Sequence, residues 1–262
     1  MKQNKSSRST VLLFFLGAAM IVAALIMLVP DLLNYKQSND TYEALKDTYV
    51  SEKAENTEVA EETEGDDSWW YTDVDVKLEE LQQVNADIIG WIRFDNLEQL
   101  SYPVLYSGDD EKYLRTDIYG NQTIAGCIFM DHGCKKDFSD PNTIIYGHNM
   151  RNLSMFGKLK QFRDQAVFDS DAYFWVYTPE KIYKYEIFSC QEVGATSETY
   201  QLQFSDKKKF QEYIDSCFER SVLKRDIEVT SDDKIVTLST CTGNSETRFL
   251  VQGKLIETYK AV

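Results

Sequence analysis

The fold is decided by a stretch near the C-terminus that reads Lys234-Ile235-Val236-Thr237-Leu238-Ser239-Thr240-Cys241, followed after a polar loop by Arg248-Phe249-Leu250-Val251-Gln252-Gly253-Lys254-Leu255. Both runs are rich in β-branched and apolar residues that partly alternate, so they predict two adjacent β-strands. The first strand ends on Cys241 and the second begins on Arg248. A thiol at a strand end, beside a cation, is held rigidly and stays exposed, which is the setting of a reactive cysteine.

Length and charge limit the class of protein. The 262 residues suffice for one domain of about 150–200 residues with appendages. The net charge of −15 argues against a nucleic-acid partner, because such a protein presents a basic face. Residues 35–67 include 11 acidic and 3 basic residues and so carry −8 of that charge, which leaves the rest of the chain only mildly acidic.

The N-terminus carries the pattern of a membrane anchor. Residues 11–29 are 19 residues without a charge, and as a helix they would span about 28 Å, close to the roughly 30 Å of a hydrocarbon core. A cleaved signal peptide also begins with basic residues, but its apolar region is usually about 7–15 residues long and ends at a small-residue cleavage site. We therefore predict a cytoplasmic N-terminus at 1–10, an uncleaved transmembrane signal anchor at 11–30 and an extracellular remainder, since the basic flank precedes the span.

The segment after the anchor is polar. Residues 31–67 are rich in glutamate, with weak helical character only over 41–50. Their second half lacks the apolar surface that would offset the entropy lost on ordering. This predicts an acidic extracytoplasmic spacer, followed by a catalytic domain at 68–262 that stays soluble and active when residues 1–67 are deleted.

Most of the domain reads as short strands separated by turn residues, the pattern of an all-β barrel or sandwich. The predicted strands cover residues 90–94, 102–105, 124–130, 143–146, 173–178, 182–193, 227–230, 234–241 and 248–257. Helices are predicted at 75–86, with Asp75 as the N-cap, at 154–162 and at 210–223, because apolar residues there fall on one helix face.

The cysteine and histidine content narrows the chemistry. The five cysteines contain no C-x-x-C pair and are odd in number, so neither a zinc site nor a complete disulfide framework is indicated, and two histidines do not supply a histidine-rich metal site. A cysteine nucleophile needs a histidine to take its proton, and the candidates are His132 and His148. His132 fits a surface turn, whereas His148 ends an apolar strand and would lie at a barrel rim. Arg248 could stabilise an oxyanion or position the substrate backbone.

Further motifs accompany this pair of strands. They are Tyr146-Gly147-His148, Gly90-Trp91-Ile92, Tyr102-Pro103-Val104, Gly126-Cys127-Ile128-Phe129-Met130-Asp131 and Met155-Phe156. With them, the chain from about residue 78 to 256 resembles the sortases, the cysteine transpeptidases of Gram-positive bacterial surfaces. A helix before the barrel and a helix between the sixth and seventh strands point to class B. The resemblance implies a mostly β fold, an eight-stranded barrel preceded by one transmembrane helix.

The resemblance also implies roles for single residues. Cys241 would be the nucleophile, His148 the general acid and base, and Arg248 the stabiliser of the oxyanion and substrate. The substrate-binding residues expected along the groove are Asp110, Leu114, Tyr213, Ile214, Ser239 and Thr240. Asp110 replaces an amide of the family's pattern, and Gly243 stands where some relatives carry an acid, so the family's contacts do not transfer at these two positions.

In the implied mechanism the Cys241 thiolate attacks the threonyl carbonyl of a C-terminal sorting signal, His148 protonates the leaving amine, and an incoming amine resolves the thioester. The expected partners are surface proteins with a sorting motif, and a peptidoglycan precursor or cross-bridge amine. The enzyme would be a thiol endopeptidase of the hydrolase class as well as a transpeptidase. No metal or organic cofactor is expected, and the sequence shows no calcium-loop pattern.

Other interpretations stay open at this point. A pilin lysine is the alternative acceptor amine. A membrane-anchored cysteine hydrolase would use water in place of the amine, and a catalytically inactive binding barrel would use neither. The L,D-transpeptidases also use cysteine, histidine and arginine, but their Ser-His-Gly-Cys signature does not occur in the sequence.

Overall fold

Eight β-strands close into a barrel. The computed structural model describes residues 4–52, 74–95, 97, 99–170, 173–223 and 225–261. In chain order the barrel strands are β1 (Ile88–Phe94), β2 (Ser101–Leu105), β3 (Ile128–Met130), β4 (Asn142–Tyr146), β5 (Tyr173–Tyr177), β6 (Lys181–Gly194), β7 (Ile235–Cys241) and β8 (Thr247–Lys260). Around the barrel the order is β8-β6-β5-β1-β2-β3-β4-β7, and β7 pairs with β8 to close it. The predicted eight-stranded barrel is confirmed.

Helices occupy the connections and the N-terminus. The α-helices are α1 (Asn4–Tyr49), α2 (Leu78–Val84), α3 (Gln165–Ser170) and α4 (Lys207–Arg220), and the 3₁₀ helices are Lys112–Leu114, Phe156–Arg163 and Glu198–Tyr200. α2 precedes the barrel and α4 lies between β6 and β7, as the resemblance to class B implies. The pairs β2–β3 and β4–β7 are parallel, which requires such crossover connections.

Aromatic side chains dominate the core. Trp91 and Trp175 are fully buried. Phe174 lies with its ring centroid 5.3 Å from that of Phe94 and 4.9 Å from that of Tyr185. Because each large ring removes much apolar area from water, burial of these rings contributes substantially to the barrel's stability. A second cluster lies under α4, whose buried residues pack against β6 and β7; it includes Phe188, Phe210, Ile214, Cys217 and Ile235.

Helix α1 has two different parts. From Thr10 it carries a strongly apolar window with a mean hydropathy of 2.9, exposed throughout, so it is long and apolar enough to cross a membrane. Its last turns instead pack on the barrel, where Tyr42 and Leu45 are buried at 5% and 2% exposure. The structure therefore departs from the predicted solvated spacer at Tyr42 and Leu45, because these two side chains find a partner in the core. Residues 53–67 lie outside the described part.

The N-terminal edge of the domain also differs from the prediction. The helix expected at 75–86 begins only at Leu78, with Lys77 as its N-cap. Asp75 lies instead in the short strand Val74–Val76, which pairs with Val50–Glu52 directly after α1. The backbone groups of this segment are thus satisfied by a second strand that is distant in sequence. Sequence periodicity alone cannot reveal such a partner.

One predicted strand is shorter than expected and another is absent. The strand expected at 124–130 spans only Ile128–Met130, because Gly126 has a φ of +57° that a strand does not accommodate. No strand forms at 227–230. There the carbonyls of Glu228 and Val229 accept hydrogen bonds from the side chains of Lys254 (2.8 Å) and Gln211 (3.3 Å). These side chains replace the neighbouring strand that a sheet would supply.

The predicted helix ends shift by a few residues. Helix α4 begins three residues before the predicted 210–223 and ends three residues earlier. The Asp206 side chain accepts a hydrogen bond from the Lys209 backbone N–H at 2.9 Å and so caps the start. Ser221 is extended and ends the helix. The helix predicted at 154–162 is the 3₁₀ helix Phe156–Arg163.

Candidate active site

Parallel pairing of β4 and β7 brings the cysteine and a histidine to one edge of the barrel. Tyr146 on β4 lies opposite Ser239 on β7. The Gly147 backbone N–H donates to the Ser239 carbonyl at 3.0 Å, so the pairing continues past the end of β4. Because parallel strands run in the same direction, His148 and Cys241, each two residues after this pair, lie at the same edge of the barrel.

Arg248 joins them from the neighbouring strand. It lies directly opposite Cys241 in the antiparallel pair of β7 and β8. Its Nη1 donates to the carbonyls of Ser245 at 2.8 Å and Thr247 at 3.0 Å, which hold the guanidinium by the loop between the two strands. Cys241, His148 and Arg248 all line one cavity of about 380 Å³. The full lining is Asp110, Leu114, Phe129, Tyr146, Gly147, His148, Ala195, Tyr200, Ser239, Thr240, Cys241 and Arg248.

The protonation of His148 follows from its hydrogen bond. Its Nε2 lies 2.7 Å from the backbone carbonyl oxygen of Leu114. A carbonyl only accepts, so Nε2 carries the hydrogen and Nδ1 is the basic nitrogen of the neutral ring. Burial lowers the pKa of His148, and the charge of Arg115 lowers it further, while the Leu114 hydrogen bond opposes them. The ring is therefore neutral and able to accept a proton near pH 7.

Gly147 permits the close approach that places His148. A Cβ atom at this position would lie 2.4 Å from the Ile128 side chain and 2.6 Å from the Phe156 ring. The backbone between Tyr146 and His148 therefore packs directly onto two core side chains. Any larger residue would push the His148 backbone away from β7.

His132, the other histidine considered as a base, lies elsewhere. Its Nδ1 is 2.6 Å from Asp110 Oδ2 and its backbone N–H donates to Asp110 Oδ1 at 2.8 Å. The hydrogen bond to Asp110 raises the pKa of His132. Ligand atoms of Asp110, Asp131 and His132 lie within 4.8 Å of one another, but Asp110 already binds His132 and Asp131 accepts from Tyr146 at 2.7 Å. The carboxylate predicted to face substrate is thus engaged by a histidine, although Asp110 lines the cavity.

Leu114, Ser239 and Thr240, three of the predicted substrate-binding residues, line the cavity. The Leu114 side chain is 39% exposed, and the residue contributes its backbone carbonyl to His148 as well. The Ser239 hydroxyl lies 2.7 Å from the Tyr200 hydroxyl, so it is already paired. Thr240 is buried at 1% exposure, and within the described residues its Oγ1 has no hydrogen-bond partner.

The prediction that Tyr213 and Ile214 form a wall of the groove is wrong. Both are buried, at 7% and 0% exposure, on the face of α4 that packs against the barrel. The Tyr213 hydroxyl donates to the Thr199 carbonyl at 2.9 Å and accepts from Asn142 Nδ2 at 3.2 Å. The apolar spacing along α4 identifies its packing face, and this pair belongs to that face.

Tyr200 forms the wall instead. It lines the cavity, its ring stacks on that of Tyr146 with a centroid distance of 6.2 Å, and its hydroxyl pairs with Ser239. It ends the 3₁₀ turn Glu198–Tyr200, which Ser197 caps by accepting from the Thr199 backbone N–H. The spacing of apolar residues gives no signal in so short a turn, and the Ser-x-Thr capping pattern is the only local trace of it.

Comparisons with known proteins identify the family of this chain. A family profile described as the sortase domain matches residues 93–256. Sortase B of Listeria monocytogenes is 33% identical over 183 residues, which are 69% of this chain and 74% of that protein. Sortase B of Staphylococcus aureus is 30% identical over 184 residues, 69% of this chain and 75% of that protein.

Solved structures extend the agreement to three dimensions. The crystal structure of sortase B from B. anthracis is similar with a TM-score of 0.71 and 30% identity, covering 86% of this chain and 99% of that one. A Staphylococcus aureus sortase B–substrate complex is similar with a TM-score of 0.66 and 29% identity, covering 69% and 85%. The profile match spans more than half of the chain, and the barrel topology agrees with it. The chain therefore belongs to the sortase family, and within that family to class B.

Proposed function

We propose that this cysteine transpeptidase uses Cys241 as nucleophile, His148 as general acid and base, and Arg248 as the stabiliser of the oxyanion. His148 takes the proton of the Cys241 thiol as the sulfur bonds to the threonyl carbonyl carbon of a sorting signal, and the amide C–N bond breaks as His148 passes that proton to the leaving amine. His148 then removes a proton from an incoming amine, whose nitrogen displaces the Cys241 sulfur and forms the new amide bond. The thiol is restored at the end of the cycle.

The observation that carries the proposal is the shared edge of β4, β7 and β8. Cys241 and His148 reach the cavity from parallel strands, and Arg248 faces Cys241 in register. A guanidinium can donate two hydrogen bonds to one developing negative oxygen, which a lysine ammonium cannot match in geometry. The neutral His148 ring has the protonation state that a base needs near pH 7.

The substrates proposed are a surface protein with a C-terminal sorting motif and an amine of a peptidoglycan precursor or cross-bridge. The similar Staphylococcus aureus structure is a substrate complex, which supports a peptide in this groove. A pilin lysine is the alternative acceptor, and water in place of the amine would give thiol-endopeptidase activity of the hydrolase class. Product analysis separates these three outcomes.

We propose further that α1 anchors the enzyme in the cell membrane by residues 11–30, with residues 1–10 in the cytoplasm and the barrel outside. The apolar window of α1 and the basic residues before it support this orientation. A barrel held at that surface meets exported proteins as they emerge.

The test uses the full chain in detergent micelles, a library of threonine-containing peptides, an oligoglycine amine and mass spectrometry of the products. We expect a joined product from the wild type, none from Cys241→Ala, and a loss of at least about 10²-fold in kcat for His148→Ala. His132→Ala is the matched control and should keep wild-type turnover. Turnover retained by Cys241→Ala, or lost in His132→Ala alone, would contradict the assignment.

A further inference from the structure

The carbonyl that orients His148 belongs to a loop that folds back on itself. We call residues 112–127 the Leu114 loop. Its two arms are joined by hydrogen bonds from the Thr123 N–H to the Arg115 carbonyl and from the Cys127 N–H to the Tyr113 carbonyl, both 2.9 Å long. The Leu114 carbonyl therefore moves only when the return arm, which contains Gly126, moves with it.

Gly126 lies directly against the Leu114 peptide. A Cβ atom on Gly126 would be 2.3 Å from the Tyr113 carbonyl oxygen and 2.8 Å from the Leu114 carbonyl oxygen. Only glycine can come this close, and its φ of +57° also suits glycine. The position of the Gly126 backbone thus sets how far the Leu114 carbonyl can be displaced from His148.

Helix α1 holds Gly126 in place. The Tyr42 hydroxyl donates to the Gly126 carbonyl at 2.6 Å, and Tyr42 is buried at 5% exposure. Its ring packs edge-on against that of Tyr102, with centroids 5.5 Å apart. One turn earlier, the Ser38 and Thr123 hydroxyls lie 2.8 Å apart. Two contacts from the same helix face therefore clamp the return arm of the Leu114 loop.

We propose that Tyr42 is a positioning residue for His148. By holding the Gly126 carbonyl, it fixes the Leu114 carbonyl and, through that carbonyl, the Nε2–H tautomer and the orientation of the imidazole. The inference rests on the proposed function in one respect, the role of His148 as the base. It makes the segment next to the membrane span part of the catalytic machinery, so that the anchor and the active site are mechanically joined.

The test compares Tyr42→Phe, which removes one hydroxyl and keeps the ring, with the wild type as full chains in micelles. Steady-state kinetics should show kcat reduced about 10-fold with little change in KM, because displacing a reacting group by about 1 Å costs up to about 10²-fold. The chain has two histidines, so the imidazole signals that disappear in His148→Gln belong to His148. In long-range ¹H–¹⁵N spectra of Tyr42→Phe, these signals should show a mixture of the two tautomers.

Tyr183→Phe is the matched control. It removes a tyrosine hydroxyl that donates to the Asp137 carbonyl at 3.1 Å, in the turn before β4 and so at the other end of that strand from His148. It should leave kcat and the His148 spectrum unchanged. If Tyr42→Phe does not fold, Ser38→Ala removes the second contact at a partly exposed position and should shift the same spectrum in the same direction.

The two proposals fail in different ways. A wild-type His148 spectrum together with wild-type kcat in Tyr42→Phe would overturn the positioning role and leave the proposed function intact. Full turnover by His148→Ala would overturn the proposed base. In that case the imidazole spectrum of Tyr42→Phe would still decide whether α1 fixes the tautomer.

Discussion

At the scale of single residues, the chain's two histidines lie in opposite electrostatic settings. Burial among the residues around the Leu114 carbonyl makes the charged form of His148 costly and lowers its pKa. His132 is exposed and lies 2.6 Å from a carboxylate oxygen of Asp110, which raises its pKa. The fold therefore favours the neutral form of one imidazole, at His148, and the charged form of the other, at His132.

An NMR titration should separate the two rings. We expect His148 to protonate below the ordinary histidine pKa of about 6.5 and His132 above it. Asp110→Asn should lower the pKa of His132 and leave that of His148 unchanged. Equal midpoints in the wild type, or a shift of His148 in Asp110→Asn, would contradict these assignments.

The same shifts give the sign of the pH dependence of stability. His132 gains its partner when it is charged. Its contribution to the free energy of unfolding is therefore fully present below the unfolded pKa and is lost as the pH rises through the raised folded pKa. His148 is held neutral, so its folded pKa lies below its unfolded pKa of about 6.5. Between these two values the unfolded state binds more protons, and the free energy of unfolding therefore falls as the solution is acidified below about pH 6.5. If urea midpoints are measured against pH, the decrease at acid pH seen in the wild type should be absent in His148→Gln.

Arg248 offers a second prediction at this scale. Arg248→Ala should lower kcat by about 10²–10³-fold, the usual cost of one oxyanion donor, and Arg248→Lys should restore little of it. The control is Arg163→Ala, which removes an ion pair to Glu192 between side chains that are each 46% exposed. An increase in KM alone, with kcat unchanged, would instead assign Arg248 to substrate binding.

At the scale of elements, helix α4 acts as the support of a groove wall. Its Tyr213 hydroxyl binds the Thr199 carbonyl at 2.9 Å, and its Arg220 guanidinium binds the Thr199 hydroxyl at 2.8 Å. Thr199 is fully buried and precedes Tyr200, the residue that lines the cavity. The helix thus shapes the groove without touching it, which explains why its apolar face carries a buried tyrosine hydroxyl.

Substitutions at the two tyrosines should separate support from contact. Tyr213→Phe leaves the Asn142 and Gln252 side-chain amides without their shared acceptor, so it should cost about 1–3 kcal/mol of stability and raise KM. Tyr200→Phe should raise KM with little loss of stability, because within the described residues its hydroxyl pairs with Ser239 alone, at the cavity edge. Denaturant unfolding and peptide kinetics measure both effects, and equal stability losses would contradict the distinction.

At the scale of the whole molecule, α1 combines a segment that is long and apolar enough to cross a membrane with a segment that packs on the barrel. Its apolar part is exposed, whereas Tyr42 and Leu45 enter the core and Val50–Glu52 pairs with Val74–Val76. From these contacts we infer that the folded domain begins within α1, after the apolar segment, and not at residue 68. This changes the expected outcome of truncation.

Deletion of residues 1–30 should leave a soluble domain with an undiminished free energy of unfolding. Deletion of residues 1–67 should destabilise it, because burial of Tyr42 and Leu45 each contributes about 1.5–3 kcal/mol and the strand Val74–Val76 loses its partner. Urea unfolding of the two truncated proteins measures the difference. Identical midpoints would show that the buried face of α1 adds no stability.

The sequence by itself determined most of the barrel strands and the residues that end them at the edge of the site. Alternating β-branched runs, a cysteine at the end of one strand and a histidine at the end of another are local patterns, because side-chain type and spacing along one strand are enough to indicate them. The predictions for Cys241, His148 and Arg248 needed only this information together with the family resemblance. Their placement in one cavity agrees with it.

Only the tertiary structure decided which tyrosine faces the groove, where the catalytic domain begins and what orients His148. Tyr200 and Tyr213 differ in exposure because of packing against distant strands, and their local sequence does not distinguish them. The proposed clamp from Tyr42 through Gly126 to Leu114 runs through backbone carbonyls, which every residue has. Its hydrogen bonds join Tyr42 to Gly126, 84 residues apart, and Leu114 to His148, 34 residues apart. Contacts of this kind depend on how the chain folds back on itself, so no local pattern encodes them.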